Sequence, residues 1–200
     1  MLISFEGIDG CGKSTQIELL KESLKANGLT VHIFREPGGT EISERVRSLL
    51  LHDTDEMNPV TELLLFSAAR SQLISEKVIP LLEKNEIVIL DRFYDSTTAY
   101  QGYGRKSVPL KEIKLLNSIA SHNRVPDITF YLRIDSGTAA QRTQSSSKDR
   151  MERAGNQFFE KVASGFDKIS KQEDRFITID ATKASDEIHK VIIEAVKAHL

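Results

Sequence analysis

Gly7-Ile8-Asp9-Gly10-Cys11-Gly12-Lys13-Ser14 follows an apolar run, Leu2-Ile3-Ser4-Phe5, and opens a helical pattern. A G-x-x-x-x-G-K-S segment between strand and helix constrains this chain more than any other stretch. It is a phosphate-binding loop in the context that confirms it. The glycines let the backbone curl and bring N–H groups close to oxyanions. The helix that follows adds its positive N-terminal end. Lys13 can reach β- and γ-phosphates, and the Ser14 hydroxyl can ligate Mg²⁺. An ordinary glycine-rich turn would not need Lys and Ser after its last glycine.

Around this loop the chain alternates strand and helix patterns. Ile17, Leu20 and Leu24 recur at helical spacing, and Asn27-Gly28 ends that helix. Thr30–Phe34 reads as a second strand, followed by Arg35-Glu36-Pro37-Gly38-Gly39-Thr40, which proline and glycine keep irregular. A charged loop at the carboxyl end of a strand is where open α/β sheets place ligands. Glu41–Leu51 reads as a helix carrying Arg45 and Arg47. Asn58-Pro59 caps a long, largely buried helix from Val60 to about Ile79, before Pro80, with Phe66 and Arg70 four residues apart on one face. Ile87-Val88-Ile89-Leu90 is an unbroken apolar run, the mark of a strand covered on both faces. It ends in Asp91-Arg92, where the acid is the expected second Mg²⁺ support and the arginine a phosphate clamp. Ser96 to Gly104, polar with aromatics, reads as pocket wall.

Pro109–Ser121 reads as helix, Ile128–Leu132 as the fourth strand, and a short helix starts near Thr138. Gln144–Lys148 loses apolar patterning among Arg142, Arg150 and Arg153. Phe158–Lys171 is helical, Phe176–Ile179 is the fifth strand before Asp180-Ala181-Thr182, and Asp186–His199 is an amphipathic helix. Strands alternating with helices predict a parallel sheet wrapped on both faces. With 200 residues, no repeat and no linker, one domain is the economical reading.

Composition then excludes classes. A net charge of −2 gives no reason to expect a nucleic-acid partner or a membrane surface, so any basic surface must be local. No apolar run is long enough to span a bilayer, and Met1 is followed at once by a core-like strand, which leaves no room for a leader. The one cysteine, Cys11, cannot form an intramolecular disulfide. These features predict a cytoplasmic protein. Cys11 reads as a small loop filler more readily than as a redox switch. The five histidines are scattered and receive no chemistry.

A phosphate loop alone does not choose among a kinase, a GTPase switch and a motor. Three features favour a small-molecule kinase: a short chain, arginines outside the loop (Arg47, Arg70, Arg92) able to hold a second anionic substrate, and Gln144–Arg153 as a basic lid. Phosphoryl transfer needs water excluded, or the donor is hydrolysed. No N-K-x-D guanine-reading motif is present. An ATP-dependent switch, or a kinase for a deoxynucleoside or another monophosphate, stays open on these grounds.

Four motifs resemble a known family closely. They are Phe5-Glu6-Gly7 through Ser14-Thr15-Gln16, Arg35-Glu36-Pro37-Gly38-Gly39-Thr40, Asp91-Arg92-Phe93 through Ala99-Tyr100-Gln101-Gly102, and Asp149-Arg150-Met151-Glu152. Their order and spacing resemble bacterial thymidylate kinases over essentially the whole chain. The resemblance implies a P-loop NTPase fold, an α/β five-stranded parallel sheet in order 2-3-1-4-5 with helices on both faces. It implies conversion of dTMP and ATP to dTDP and ADP, for dTTP synthesis, with Mg²⁺, in a homodimer.

The same resemblance assigns roles. Gly7 to Thr15 hold the donor phosphates, including Ile8, Asp9, Gly10, Cys11, Gly12, Lys13 and Ser14. Arg142 and Asp180, Ala181 and Thr182 flank adenine. Phe66 stacks on thymine and Arg70 reads its O4. Arg92, with Arg47, holds the acceptor phosphate, and Asp9 lies near the sugar 3′-OH and the phosphates. Tyr100 packs where a ribose 2′-OH would fall, while Thr97 and Gln101 face base or sugar. Glu36, Pro37 and Ser96 complete the acceptor set. Asp149 and Glu152 lie at the lid's exit near the metal, with Ser14, Asp9 and Asp91 as the other metal candidates. Lys13, Asp9, Arg92 and Arg150 form the catalytic set.

Two departures from the family stand out. Arg133 occupies a position where many relatives carry an acid. Ile8 to Cys11 contain no arginine, so a further cation must arrive with the lid, about residues 142–153. Among Arg142, Lys148 and Arg150, the expectation falls on Arg150, because the chain re-enters regular structure there.

Overall fold

The computed structural model describes residues 1–51, 56–143 and 150–200, and for Glu152 the backbone only. Strand β1 (Leu2–Glu6) is buried at every position. Its neighbours are β3 (Ile87–Asp91) and β4 (Ile128–Arg133), with β2 (Val31–Arg35) and β5 (Phe176–Asp180) at the edges. All pairings are parallel and the order is β2-β3-β1-β4-β5, as the family resemblance implies. Side-chain alternation splits the core into two layers. Ile3, Phe5 and Ile89 join Ile17, Leu20 and Leu24 of α1 (Lys13–Ala26). Leu2, Val88 and Leu90 point the other way and meet Leu73, Ile74 and Val78. That is why the middle strands read as unbroken apolar runs.

Helix α2 is Glu41–Leu51, within the predicted limits. Helix α3 is Pro59–Leu73, capped by the Asn58 side chain, which accepts from the Val60 N–H. The stop expected before Pro80 is not there, and the chain stays helical through it. A π-helical turn, Ile74–Val78, leads directly into α4 (Ile79–Glu83). Proline cannot donate to the carbonyl one turn back. The π turn, in which the Ile79 N–H reaches the Ile74 carbonyl, shifts the ladder just before that gap. Pro80 then falls in the first turn of the next segment, where no donor is needed.

The stretch read as pocket wall is also helical. Helix α5 (Tyr94–Thr97) runs into a second π segment, Thr98–Gly104. Its glycines masked the pattern. A Cβ on Gly102 would stand 2.8 Å from Leu110 Cδ2, and one on Gly104 would stand 2.6 Å from Phe158 Cε2. They serve close packing against α6 (Leu110–Ala120) and α8 (Asn156–Ile169) rather than a turn. Helix α7 (Ser136–Arg142) starts at Asp135, whose carboxylate accepts from the Thr138 N–H, and α9 (Ser185–Lys197) closes the chain. A short 3₁₀ turn, Glu152–Ala154, precedes α8.

Arg133 has a plain account. Its guanidinium donates to both carboxylate oxygens of Asp167 on α8, at 2.9 and 3.1 Å, tying the end of β4 to that helix at the surface.

Candidate active site

The carboxyl ends of β1, β2 and β3 open into one cleft of about 450 Å³. The phosphate loop forms its floor. Gly7 and Gly10 have φ of 138° and 84°, where side chains are strained. A Cβ on Gly7 would lie 2.7 Å from the Leu132 carbonyl oxygen, and one on Gly10 would lie 2.6 Å from that of Ala139. The loop therefore rests directly on backbone, and only glycine fits. Cys11 is 1% exposed, which suits a loop filler. Lys13 Nζ donates to the carbonyls of Gly7 and Ile8, at 3.1 and 3.3 Å.

Gly10, Gly12, Lys13, Ser14, Thr15 and Asp9 line the cleft on the loop side. Glu36, Pro37, Arg47, Phe66, Arg70, Asp91, Arg92, Ser96, Thr97, Tyr100 and Gln101 line it opposite, with Arg142 at the rim. Among the described residues lining the cleft, Lys13, Arg35, Arg47, Arg70, Arg92 and Arg142 face three acids, Asp9, Glu36 and Asp91. A chain of net negative charge thus concentrates positive charge in one place, so the basic surface it has is local.

Arg92 is the most constrained of these residues. Its backbone has φ 71°, unusual for a side-chain-bearing residue, and its N–H donates to the Phe5 carbonyl. The guanidinium donates to the Gly7 carbonyl at 2.8 Å and to Asp9 Oδ1 at 2.5 Å, and lies 5.2 Å from the centre of the Tyr100 ring. Burial opposes ionisation of Asp9, but Arg92 and then Lys13 outweigh it and hold the carboxyl below its ordinary range. Tyr100 itself is pushed far upward by burial, so the phenol stays neutral.

Beneath Arg92 lies a support that the sequence reading did not single out. Glu6 is fully buried at the end of β1. Its carboxyl accepts from the Phe93 N–H at 2.8 Å and the Ser96 hydroxyl at 2.6 Å. Burial, then the charge of Asp95, pushes Glu6 up to about 8. Asp95 accepts two bonds of 2.8 Å from Arg175, which is sandwiched between the Tyr94 and Phe176 rings. The turn carrying Arg92 is therefore held from below at three points. An acid ending an apolar strand was the signal used for Asp91, and it would have found Glu6 too.

Arg70 is 2% exposed and pairs with Glu36 at 2.7 Å. Burial raises Glu36 above its usual range, more than Arg70 lowers it. Arg47 donates to the Pro37 carbonyl at 2.8 Å. Phe66 and Arg70, one helical turn apart on α3, both reach the cleft, so they share the face that their spacing predicted.

Other expected residues lie at the rim of the cleft or beyond it. Arg142 donates to the Ala181 carbonyl at 3.1 Å, which brings the Asp180–Thr182 loop to the rim. Asp180 accepts from the Thr182 N–H and hydroxyl. Ile8 faces a second cavity, beside Ala139 and Phe159. Arg150 does not line the cleft. Its guanidinium donates to Glu62 at 2.7 Å and to the Leu50 carbonyl at 2.8 Å, so it is spent on the protein rather than presented to the cleft. A buried carboxylate on α3 outcompetes an open cleft for a desolvated guanidinium. Residues 144–149, with Lys148 and Asp149 of the expected lid, lie outside the described residues, as does the Glu152 side chain. Among the described residues no cluster of three or more His, Cys, Asp or Glu could hold a metal, and no helix is long and apolar enough to cross a membrane.

Comparison with known proteins agrees with this geometry. The family profile described as Thymidylate kinase matches residues 5–192. The thymidylate kinase of Caldanaerobacter subterraneus subsp. tengcongensis is 44% identical over 199 residues, covering 99% of this chain and 95% of that protein. That of Chlorobaculum tepidum is 46% identical over 209 residues, covering 99% and 97%. That of Fervidobacterium nodosum is 43% identical over 200 residues, covering both chains fully. A phosphate loop, a second arginine-rich wall and end-to-end similarity lead to one conclusion: the chain belongs to the thymidylate kinase family.

Proposed function

We propose that the cleft holds dTMP and the phosphate end of ATP together, with the family's reaction, ATP plus dTMP to ADP plus dTDP, running along its floor. The observation that carries this reading is the pairing of two cationic sets on one cleft: Lys13 on the loop, and Arg47, Arg70 and Arg92 on the facing wall. One set suits the donor's phosphates and the other an acceptor that brings its own phosphate. A switch or scaffold has no use for the second set, and a deoxynucleoside acceptor would not need Arg47 and Arg92 together. The enzyme is a nucleoside monophosphate kinase of the family, with ATP as donor.

In this reading Phe66 stacks on the base and Arg70 donates to its O4, aimed by the buried pair with Glu36. Thr97 and Gln101 face base or sugar, and Tyr100 fills the room a 2′-OH would need. Ser96 and Pro37 shape the wall. Arg92, shared with Asp9, and Arg47 hold the acceptor phosphate. Lys13 and the loop amides hold the donor phosphates, while Arg142, Ala181 and their neighbours Asp180 and Thr182 border the adenine. Charge spread over the transferring phosphoryl is met by cations already in place, so little reorganisation is needed in the transition state.

Mg²⁺ fits the residues present. Ser14 and Asp91 both line the cleft and offer hard oxygen donors, and Mg²⁺ is characteristically held by one or two such groups plus substrate phosphates rather than by a protein cage. Ser14 and Asp91 would hold it, with Asp9 near by. Once bound there, it would neutralise charge on the donor phosphates.

We also read residues 1–200 as one kinase domain that works as a cytoplasmic homodimer. Exposed Leu115 and Ile119 on α6, with Val60 and Leu64 on α3, offer an apolar face for a second copy. The testing experiment is a screen of all nucleoside monophosphates as acceptors, reading ADP release. dTMP should be the best substrate, dUMP weaker, and the 2′-hydroxylated form of TMP poor, because Tyr100 fills the room an added hydroxyl would need. Equal kcat/KM for the ribo and deoxy forms would overturn the sugar assignment.

A further inference from the structure

Glu62 is assigned no role in the site described above. It lies on α3, one turn before Phe66 and two before Arg70, and is 1% exposed. It does not line the cleft, but Gln101 does. The Gln101 Nε2 donates to Glu62 Oε1 at 2.9 Å. On the same carboxylate, Arg105 Nε reaches Oε1 at 3.4 Å and the Arg150 guanidinium reaches Oε2 at 2.7 Å.

A side-chain amide has two faces, a donor and an acceptor, and its orientation is set by what it meets. A carboxylate facing two guanidinium groups can only accept. It therefore takes the NH₂ end of Gln101, leaving the carbonyl oxygen as the end available to the cleft. We propose that Glu62 is a positioning residue that holds the Gln101 amide with its oxygen toward the acceptor base, and so selects a base carrying an N–H at that edge. The proposal rests on the acceptor reading above. A pyrimidine whose O4 meets Arg70 carries its N3 next to that oxygen. Thymine and uracil have hydrogen on N3, whereas cytosine has a lone pair there and an amine in place of O4. An acceptor locked at Gln101 pairs with the first and faces the lone pair of the second. A free amide would turn over and satisfy either, so discrimination at N3 depends on the lock rather than on Gln101 alone.

Glu62→Gln is the informative variant because its shape is unchanged. Arg150, the closer guanidinium, takes the oxygen of the new amide. The new NH₂ then faces Gln101, which must turn its own oxygen inward and its NH₂ toward the base. The kcat/KM ratio of dTMP to dCMP should fall roughly tenfold or more, since a buried hydrogen bond is exchanged for a mismatch. The KM for ATP should not move. Glu62→Asp, still able only to accept, should keep the ratio even if KM for dTMP rises. The double variant E62Q/Q101L should show no lower ratio than Q101L alone. Should E62Q fail to fold, Glu62→Met removes the acceptor and should lower the ratio in the same way. An unchanged ratio in folded E62Q, with Q101L lowering it, would overturn the positioning role. An unchanged ratio in Q101L itself would overturn the reading of the base at Gln101, and the proposal with it.

Discussion

Arg70 and Glu36 form an ion pair with almost no solvent contact, 2% and 4% exposed at the side chains. Removing one partner of such a pair leaves the other uncompensated. Arg70→Ala should raise KM for dTMP by roughly 10- to 100-fold, the equivalent of a charged hydrogen bond worth ~1.5–3 kcal/mol, and leave KM for ATP nearly unchanged. Phe66→Ala should act in the same direction. Steady-state kinetics with each substrate varied in turn checks both, and a rise in KM for ATP instead would mislocate the acceptor. Glu6 permits a second prediction. Its carboxyl is pushed from 4.5 to about 8 in the folded chain, so the folded state binds more protons than the unfolded state between those values. The stability tied to this group is complete below about pH 4.5 and is lost as pH rises toward 8, with a slope of at most ~1.4 kcal/mol per pH unit. Glu6→Gln should flatten the fall of melting temperature between pH 5 and 8, which thermal melts across that range would read. An equally steep fall in the variant would assign the titration to another group.

Elements decide what single residues cannot. Helix α7 ends at Arg142, which is thereby delivered to the rim between Gly10 and Ala181. The chain beyond the expected lid re-enters at Arg150, which is captured by α3 through Glu62 and by the end of α2 through the Leu50 carbonyl. Two arginines eight positions apart thus have opposite employments. Arg142→Ala should raise KM for ATP by roughly 5- to 30-fold, the loss of one charged contact at the donor end. Arg150→Ala should chiefly lower the melting temperature, because the Glu62 charge then keeps only the more distant Arg105 beside the neutral Gln101 amide, and should leave the KM for ATP unchanged. Side-by-side kinetics and melts of the two variants test this. A large drop in kcat for Arg150→Ala without loss of stability would return Arg150 to the transfer step.

At the scale of the whole molecule, exposure and charge divide the surface. Leu115 and Ile119 are 63% and 62% exposed on α6, and Leu64 is 49% exposed on α3. Burying such side chains fully contributes ~1.5–3 kcal/mol each. The double change Leu115→Glu and Ile119→Glu should therefore convert a dimer to a monomer in sedimentation velocity, with the fold retained by circular dichroism. A wild-type chain that sediments as a monomer at micromolar concentration would remove the dimer reading altogether.

How much was legible in advance follows from which interactions are local. The phosphate loop and the strand-end position of Asp91 and Arg92 could be read from the chain, while the strand order and the placing of Phe66 and Arg70 were carried by family resemblance. Glycine geometry, apolar periodicity and strand-end acids are written in short windows. The helix through Pro80 and the π segment at Thr98–Gly104 could not be read, because a π turn and close-packed glycines carry no periodic signal. The sequence by itself determined that this chain builds a parallel sheet with a phosphate loop at its carboxyl edge, since local chemistry dictates those features. Only the tertiary structure decided that Glu6 and Asp95 hold Arg92 from below, that Glu62 claims Arg150, and that Arg133 answers to Asp167. Glu6 and Arg92 are 86 positions apart, Asp95 and its partner Arg175 80, Glu62 and Arg150 88, and Arg133 and Asp167 34. Which buried carboxylate a guanidinium reaches depends on packing, not on neighbours in the chain.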